Sequence, residues 1–241
     1  MRIIQCSSKD EAVGVVASMV AERISAHPSS VIGLATGRTM IPVYEALSKN
    51  VTETKLDLSS AFFFMLDEYY GLPDGHPSSF KFFIKKHVIE PLNLSEDQFA
   101  FPPVHVEEGG IHYEQSIKEA GGVDLQLLGI GTNGHVGFNE PGSYPDSRTR
   151  KVALTAETIE ANKDQFVDEL IPHDALSMGL KTILEAKSLV MLATGKSKSH
   201  VIKHLLNHHD DPDCPATFLK HHPHFTLVLD PEAASNINLN I

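Results

Sequence analysis

The chain has 241 residues, of which 41% are hydrophobic and 21% charged, and its formal net charge is −11 with histidines counted as neutral. An acidic surface repels nucleic acid and anionic membrane, so we expect neither as a partner. Only two cysteines are present, no apolar run approaches the ~20 residues that a bilayer requires, and no signal-peptide core is visible, so we expect one cytoplasmic domain over 1–241.

Short apolar runs alternate along the chain with longer amphipathic stretches, which is typical of buried strands alternating with helices. The predicted strands begin at Arg2 and continue at 31–34, 61–66, 125–128, 189–193 and 225–229. The predicted helices cover 11–26, 41–48, 79–89, 113–120, 176–185 and 199–207. This alternation predicts an α/β fold, with a mostly parallel, open, Rossmann-like sheet and helices on both faces.

Polar, glycine-rich or charged residues follow four of the predicted strands. These strand exits lie at 35–39, 67–69, 129–135 and 194–198. Open parallel sheets bind their ligands beyond the carboxyl ends of the strands. We therefore expect one site at this edge of the sheet.

The first and fourth exits have the features of anion-binding loops. Residues 36–39 precede a predicted helix, whose free N–H groups suit a phosphate. A simple helix cap with Thr39 as N-cap explains these residues equally well. Lys196 and Lys198 also precede a helix, where a lysine opposes the helix dipole, so an anionic ligand would explain them. Solvated surface lysines are the alternative.

The second exit places Asp67 directly after the apolar run 62–66. A carboxylate at the end of a buried strand is partly desolvated, which raises its pKa and suits it to act as a base. An N-cap or loop hydrogen bond is the alternative. The aromatic residues of this run, together with Phe80, Phe82 and Phe83, we assign to the hydrophobic core.

The third exit, with its continuation to residue 142, carries five glycines within fourteen residues. Such a density indicates backbone conformations that other residues avoid, or a close approach to a ligand. His135 and Glu140 lie in this loop, and an imidazole oriented by a carboxylate is a common arrangement for proton transfer near neutral pH. A purely structural loop is the alternative.

Taken together, these motifs closely resemble those of the glucosamine-6-phosphate deaminase (isomerase) family, in particular its shorter subgroup. The resemblance covers nearly the whole chain in the right order. It rests on residues 31–37, 66–69, 129–142, 147–150, 175–179 and 195–198. It implies the conversion of glucosamine 6-phosphate and water to fructose 6-phosphate and ammonia, with no metal or organic cofactor.

The resemblance also implies roles for individual residues. Asp67 would move a proton between C2 and C1 of the open-chain sugar. His135 would open the pyranose ring by passing a proton at the ring oxygen, and Glu140 would hold that imidazole in the right tautomer and charge state. The amino-sugar phosphate would be bound by Thr36, Gly37, Arg38, Thr39, Gly134 and Lys198.

The chain departs from the family pattern at three positions. Asn133 stands where many members have Asp, and its amide can orient His135 or the substrate but cannot share a proton. Arg38 stands where Ser is frequent. Lys163 is the cation nearest to the position of a phosphate-binding Arg in many relatives and is our remaining candidate ligand. Replacement of that Arg by Arg38, or a changed substrate, would also explain the pattern.

Three other functions stay open. A galactosamine-6-phosphate deaminase would need the same three residues and would differ around the C4 hydroxyl. A 6-phosphogluconolactonase-like hydrolase would share Gly-His but lack the Phe-Asn-Glu-Pro sequence found at 138–141. A sugar-phosphate-sensing effector domain would need a helix-turn-helix before the first predicted strand, where we expect none.

Two further features complete the sequence-based predictions. His200, His204 and His208 recur at helical spacing, and histidines four apart can bind zinc. No acidic residue matches them and lysines lie among them, so we predict a solvated helix face and no metal. Because the sequence ends soon after residue 231, the C-terminal part used by allosteric hexameric members of the family looks reduced, and we expect no allosteric activator site. The shorter members that the chain resembles include monomers, so we favour a monomer over a homo-oligomer.

Overall fold

The computed structural model describes residues 1–155, 158–160, 166 and 171–237, and its strands form two sheets. The strands are β1 (Arg2–Gln5), β2 (Val31–Leu34), β3 (Phe62–Met65), β4 (Asp67–Tyr69), β5 (Phe99–Ala100), β6 (Leu125–Leu128), β7 (Arg150–Ala153), β8 (Asp174–Ser177), β9 (Leu189–Ala193) and β10 (Phe225–Leu229). Among these residues a seven-stranded parallel sheet has the order β1-β10-β9-β6-β2-β3-β5. A small antiparallel sheet has the order β4-β8-β7.

Helices connect the strands of the large sheet. They are α1 (Lys9–Ala26), α2 (Ile41–Thr54), α3 (Phe80–Ile84), α4 (Gly109–Glu119), α5 (Leu180–Leu184) and α6 (Ser199–Asn207). The first begins after Ser8, whose hydroxyl accepts the Glu11 N–H at 3.1 Å, as an N-cap residue should. The third continues as a π-helical stretch (Lys85–Ile89) and a short α-helical segment (Glu90–Leu92). None of the helices in the described residues is long and apolar enough to cross a membrane.

The predicted fold class is confirmed, and one predicted helix is partly wrong. The predicted strands at 31–34, 125–128, 189–193 and 225–229 agree with the structure, and the prediction at 61–66 shortens to Phe62–Met65. The segment predicted as a helix over 176–185 begins as strand β8 and becomes helical only from Leu180. Its first residues are buried between β4 and β7, so their apolar character reflects a strand enclosed on two sides.

The order of the large sheet places the helices on both of its faces. The connections from β1 to β2, and from β2 to β3, run towards the β5 edge, whereas those from β5 to β6, β9 and β10 run back. Right-handed crossovers in opposite directions put their helices on opposite faces. The loops that follow the neighbouring strands β2 and β6 therefore lead away from each other. A crevice forms at such a switch point, beyond the carboxyl ends of the strands.

Candidate active site

A cavity of about 360 Å³ opens at this switch point, and all four strand exits contribute to its lining. All residues of the exit after β2 (35–39) line the cavity, and the other exits contribute the side chains of Asp67, His135 and Lys198. The lining consists of Ala35, Thr36, Gly37, Arg38, Thr39, Leu66, Asp67, Phe80, Gly129, Ile130, Gly131, Thr132, His135, Gly137, Phe138, Thr158 and Lys198. Residues far apart in the sequence thus meet around one space.

Asp67 is the buried carboxylate of this cavity. It begins β4, separated from the end of β3 by the single residue Leu66, and only 5% of its surface is exposed. Burial raises the pKa of Asp67 to about 8, and the neighbouring Glu68 carboxylate adds to the rise. A carboxyl group with this pKa is a far stronger base than an ordinary aspartate, as proton abstraction from carbon requires.

Glu68, the neighbour of Asp67, has a structural role and holds the start of the next helix in place. Its carboxylate accepts the backbone N–H groups of Tyr69 and Phe80 at 2.9 Å and that of Lys81 at 2.7 Å. Burial raises the pKa of Glu68, although these three hydrogen bonds and the Lys81 charge oppose the rise. This carboxylate fixes the start of α3, and with it Phe80, against the strand that carries Asp67.

His135 and Glu140 form the imidazole–carboxylate pair predicted from the third exit. Nδ1 of His135 is buried and lies 3.4 Å from Oε2 of Glu140, its nearest partner among the described residues and too long for a strong hydrogen bond. Asn133 donates its side-chain N–H to the same oxygen at 2.9 Å and accepts the His135 backbone N–H at 3.2 Å. Asn133 therefore connects the Glu140 carboxylate to the backbone of His135.

Glu140 is held as a carboxylate. Burial would raise its pKa, but the close His135 imidazole and its charge, together with hydrogen bonds from Thr158 and Asn133, outweigh that effect and lower the pKa to about 2. The Thr158 hydroxyl donates to Oε1 of Glu140. Sequence reasoning missed Thr158, since an isolated threonine in a polar stretch carries no signal.

Glycines let the third exit pack closely. A Cβ at Gly131 would lie 2.3 Å from the His135 ring, so only glycine leaves room for the imidazole. Gly134 has a φ of +86°, and a Cβ there would lie 2.3 Å from Sγ of Cys214. Gly134, a predicted phosphate ligand, is not among the residues that line the cavity, and its contact with Cys214 accounts for a glycine at this position.

Cations and hydroxyls occupy the exits after β2 and β9. Lys198 is partly buried, and burial lowers its pKa, whereas the Arg38 side chain is exposed. Both line the cavity together with Thr36 and Thr39. An anion bound there would stabilise the charge of the desolvated ammonium group. The remaining candidate, Lys163, lies outside the described residues.

Two stacked phenylalanines form an apolar part of the lining. The rings of Phe80 and Phe138 are 5.9 Å apart and nearly parallel, and Tyr69 packs against both. Of the aromatic residues that we assigned to the core, Phe82 is 37% exposed, and Phe80 packs against the small apolar cluster of Tyr69 and Phe138 but also lines the cavity. The reason is that α3 starts at the cavity edge, which a sequence pattern does not reveal.

The histidines at helical spacing, His200, His204 and His208, do not line the cavity. His204 contacts Asp211 through Nε2 at 2.6 Å and stacks on His208, with ring centroids 3.9 Å apart. In the part of the chain that the structure describes, no group of three or more His, Cys, Asp or Glu side chains is arranged to hold a metal ion. The absence of a metal from the reaction stays a prediction.

The fold and the site define an α/β protein with acid–base groups and cations around one cavity at a sheet switch point. Residues 7–228 match the family of glucosamine-6-phosphate isomerases/6-phosphogluconolactonase. The chain belongs to this family.

Individual relatives extend this result. Glucosamine-6-phosphate deaminase of Rhodopirellula baltica is 45% identical over 225 residues, covering 91% of this chain and 89% of that protein. The enzyme of the same name from Streptomyces avermitilis is 43% identical over 231 residues, covering 93% and 88%. A solved structure described as a monomeric glucosamine-6-phosphate deaminase superposes with a TM-score of 0.95 at 34% identity, covering 98% of this chain and 100% of the other. A 6-phosphogluconolactonase from Trypanosoma cruzi, at 21% identity and a TM-score of 0.79, shares the fold.

Proposed function

We propose that this protein is an enzyme that converts glucosamine 6-phosphate and water to fructose 6-phosphate and ammonia. The observation that carries the proposal is the shared cavity of Asp67 and His135, the latter backed by Glu140, with Arg38 and Lys198 in the same lining. Its relatives named glucosamine-6-phosphate deaminase, at 45% and 43% identity over about nine-tenths of the chain, support the same substrate and reaction.

The reaction begins with ring opening and then moves one proton between carbons. Asp67 takes the proton from C2 of the open-chain sugar, while the C1 carbonyl oxygen gains a proton and an enolamine forms. Asp67 returns its proton to C1, which leaves an imine at C2. Water adds to that carbon and ammonia departs, so atoms and charges balance. Burial of Asp67 raises its pKa and so strengthens it as the base for this step.

His135 supplies the protons that move on and off the sugar oxygens, the ring oxygen first. With Nδ1 turned towards Glu140, Nε2 is the nitrogen left for the substrate. The Glu140 carboxylate, whose pKa is lowered to about 2, stays ionised and stabilises the imidazolium form. Asn133 supports this orientation through its bonds to both residues and takes no proton.

The phosphate group binds at the exits after β2 and β9. Lys198 and Arg38 supply charge, and Thr36, Gly37 and Thr39 supply hydroxyl and backbone N–H groups. An exposed Arg38 reaches the phosphate at less desolvation cost than a buried arginine would. We keep Lys163 as a candidate ligand in this proposal.

We also propose that the enzyme works as a cytoplasmic monomer. The support for a monomer is its 34% identity to the structure described as a monomeric glucosamine-6-phosphate deaminase. Size-exclusion chromatography with light scattering measures this directly. A mass of about twice the 26.4 kDa of one chain would contradict it.

A side-by-side assay tests the reaction and the C4 preference. Purified protein should release ammonia from glucosamine 6-phosphate, with fructose 6-phosphate as the second product, faster than from galactosamine 6-phosphate. The preference rests on the names of the relatives, since both substrates need the same Asp, His and Glu. No ammonia from the gluco compound would refute the proposal, and faster release from the galacto compound would reassign the substrate.

A further inference from the structure

The Glu140 carboxylate is held from two sides by separate parts of the chain. Its Oε2 faces Asn133 and His135 within the third exit. Its Oε1 accepts the hydroxyl of Thr158, which lies 18 positions away and beyond β7. Thr158 is 4% exposed, so water competes little for this hydrogen bond.

Thr158 has its own support, independent of the loop that it contacts. Its backbone N–H donates to Oγ1 of Thr155 at 3.2 Å, and the N–H of Ile159 donates to the Thr155 carbonyl at 2.9 Å. One residue earlier, the N–H of Leu154 donates to the His173 carbonyl at 2.8 Å. The threonine hydroxyl is thus a fixed point against which the Glu140 side chain can be oriented.

We propose that Thr158 is a positioning residue that fixes the rotation of the Glu140 carboxylate, so that Oε2 stays directed at Nδ1 of His135. This inference rests on the proposed deaminase function. Without the hydroxyl, Oε1 loses its donor, the carboxylate turns, and the imidazole loses the orientation that proton transfer requires. The lowered pKa of Glu140 agrees with this role, because the Thr158 hydrogen bond is among the contacts that lower it against the effect of burial.

The effect should fall on kcat and leave KM nearly unchanged. The groups proposed to bind the phosphate, such as Lys198, lie in other strand exits and do not depend on this contact. Thr158 itself lines the cavity, so the His135 signals of the substrate-free protein, described below, separate its role from direct contact with the substrate. Thr158→Val keeps the shape of the side chain and removes the hydroxyl, and we expect it to lower kcat about tenfold or more. Thr158→Ser keeps the hydroxyl and should restore kcat to within about threefold of the wild type.

A matched control exists elsewhere in the chain. The Thr182 hydroxyl also donates to a glutamate, Oε1 of Glu114, and Thr182 is 5% exposed. Glu114 keeps three other contacts, from the N–H and the hydroxyl of Thr149 at 2.8 and 2.5 Å and from the Arg148 guanidinium at 3.1 Å, whereas Glu140 keeps those from Asn133 and His135. Neither Thr182 nor Glu114 lines the cavity. Thr182→Val should therefore resemble Thr158→Val in thermal stability and the wild type in kcat.

The proposal also has a readout that needs no turnover. In the substrate-free protein, the imidazole nitrogen NMR signals of His135, identified by their loss in His135→Gln, should shift in Thr158→Val and stay unchanged in Thr182→Val. Unchanged His135 signals, an unchanged kcat in Thr158→Val, or an equal loss of kcat in Thr182→Val would overturn the role. An inactive wild-type protein would instead contradict the proposed function, and the NMR comparison would still decide the role of Thr158.

Discussion

Asp67 and Ser177 are paired directly across the antiparallel strands β4 and β8. The Ser177 hydroxyl accepts the backbone N–H of Phe138 at 3.1 Å, which connects this pair to the loop carrying His135 and Glu140. A Cβ at Gly137 would lie 3.0 Å from Oγ of Ser177 and 3.2 Å from Oδ2 of Asp67, so the loop passes close to both. The small sheet therefore sets the distance between the base and the imidazole loop.

We predict that Asp67→Asn abolishes ammonia release and stabilises the protein at neutral pH. Loss of a general base lowers rates by about 10²–10⁴-fold. Because the pKa of Asp67 is about 8 in the folded protein and near 3.8 when unfolded, the folded state keeps a proton that the unfolded chain releases. Burial of Asp67 therefore costs stability as the pH rises from about 4 to about 8.

Urea unfolding at several pH values measures this stability difference. Asp67→Asn should be more stable than the wild type by on the order of 2 kcal/mol at pH 7, with the difference vanishing near pH 4. Asp124→Asn is the control of opposite sign. Asp124 is also buried, but hydrogen bonds from Lys187 and Val31 and the charge of Arg23 outweigh burial and lower its pKa. Its replacement should destabilise the protein at pH 7, and equal effects of both variants would contradict the assignment.

The pH dependence of kcat/KM should report the ionisation of Asp67. Since the base must be ionised, kcat/KM for the wild type should rise with pH and level off above about pH 8. Removing the adjacent negative charge with Glu68→Gln should move this limb to lower pH, because the Glu68 carboxylate helps to raise the pKa of Asp67. Stability should fall in the same variant, since an amide cannot accept all three backbone N–H groups. A limb that stays in place would mean that burial alone sets the pKa.

His135 and Glu140 should behave as one unit in a double-mutant cycle. His135→Gln removes the proton carrier and should lower kcat by about 10²–10⁴-fold, and Glu140→Gln, which only supports it, should cost less. Once the imidazole is gone, the carboxylate has nothing to orient. The double variant should therefore be no slower than His135→Gln, and additive losses in steady-state kinetics would show that Glu140 acts separately.

Lys198 and Arg38 should affect substrate binding more than chemistry. Lys198→Ala should raise KM about 10–100-fold, the effect of losing one charge-assisted hydrogen bond from a partly buried group. Arg38→Ser should raise KM less, because that side chain is exposed and screened by solvent. Lys196→Ala serves as the control, since this lysine is exposed and lies outside the cavity lining. A similar KM change in all three variants would argue for a diffuse electrostatic effect.

The sequence by itself determined the parallel strands, the edge of the sheet where a site could form and the residue types that carry acid–base chemistry. These features are local, because an apolar run of four or five residues followed by Gly, Asp or Lys can be recognised without its partners. The exit that contains Asp67 and the exit that contains His135 were both identified in this way, and both line the cavity.

Only the tertiary structure decided how these pieces face one another. The strands β4, β7 and β8 are three or four residues long, and the pairing of β4 with β8 joins segments about a hundred positions apart, which no local pattern encodes. The same is true of the Thr158–Glu140 contact and of the burial that raises the pKa of Asp67. Desolvation and hydrogen-bond geometry depend on the complete enclosure of a side chain, and that enclosure exists only in the folded chain.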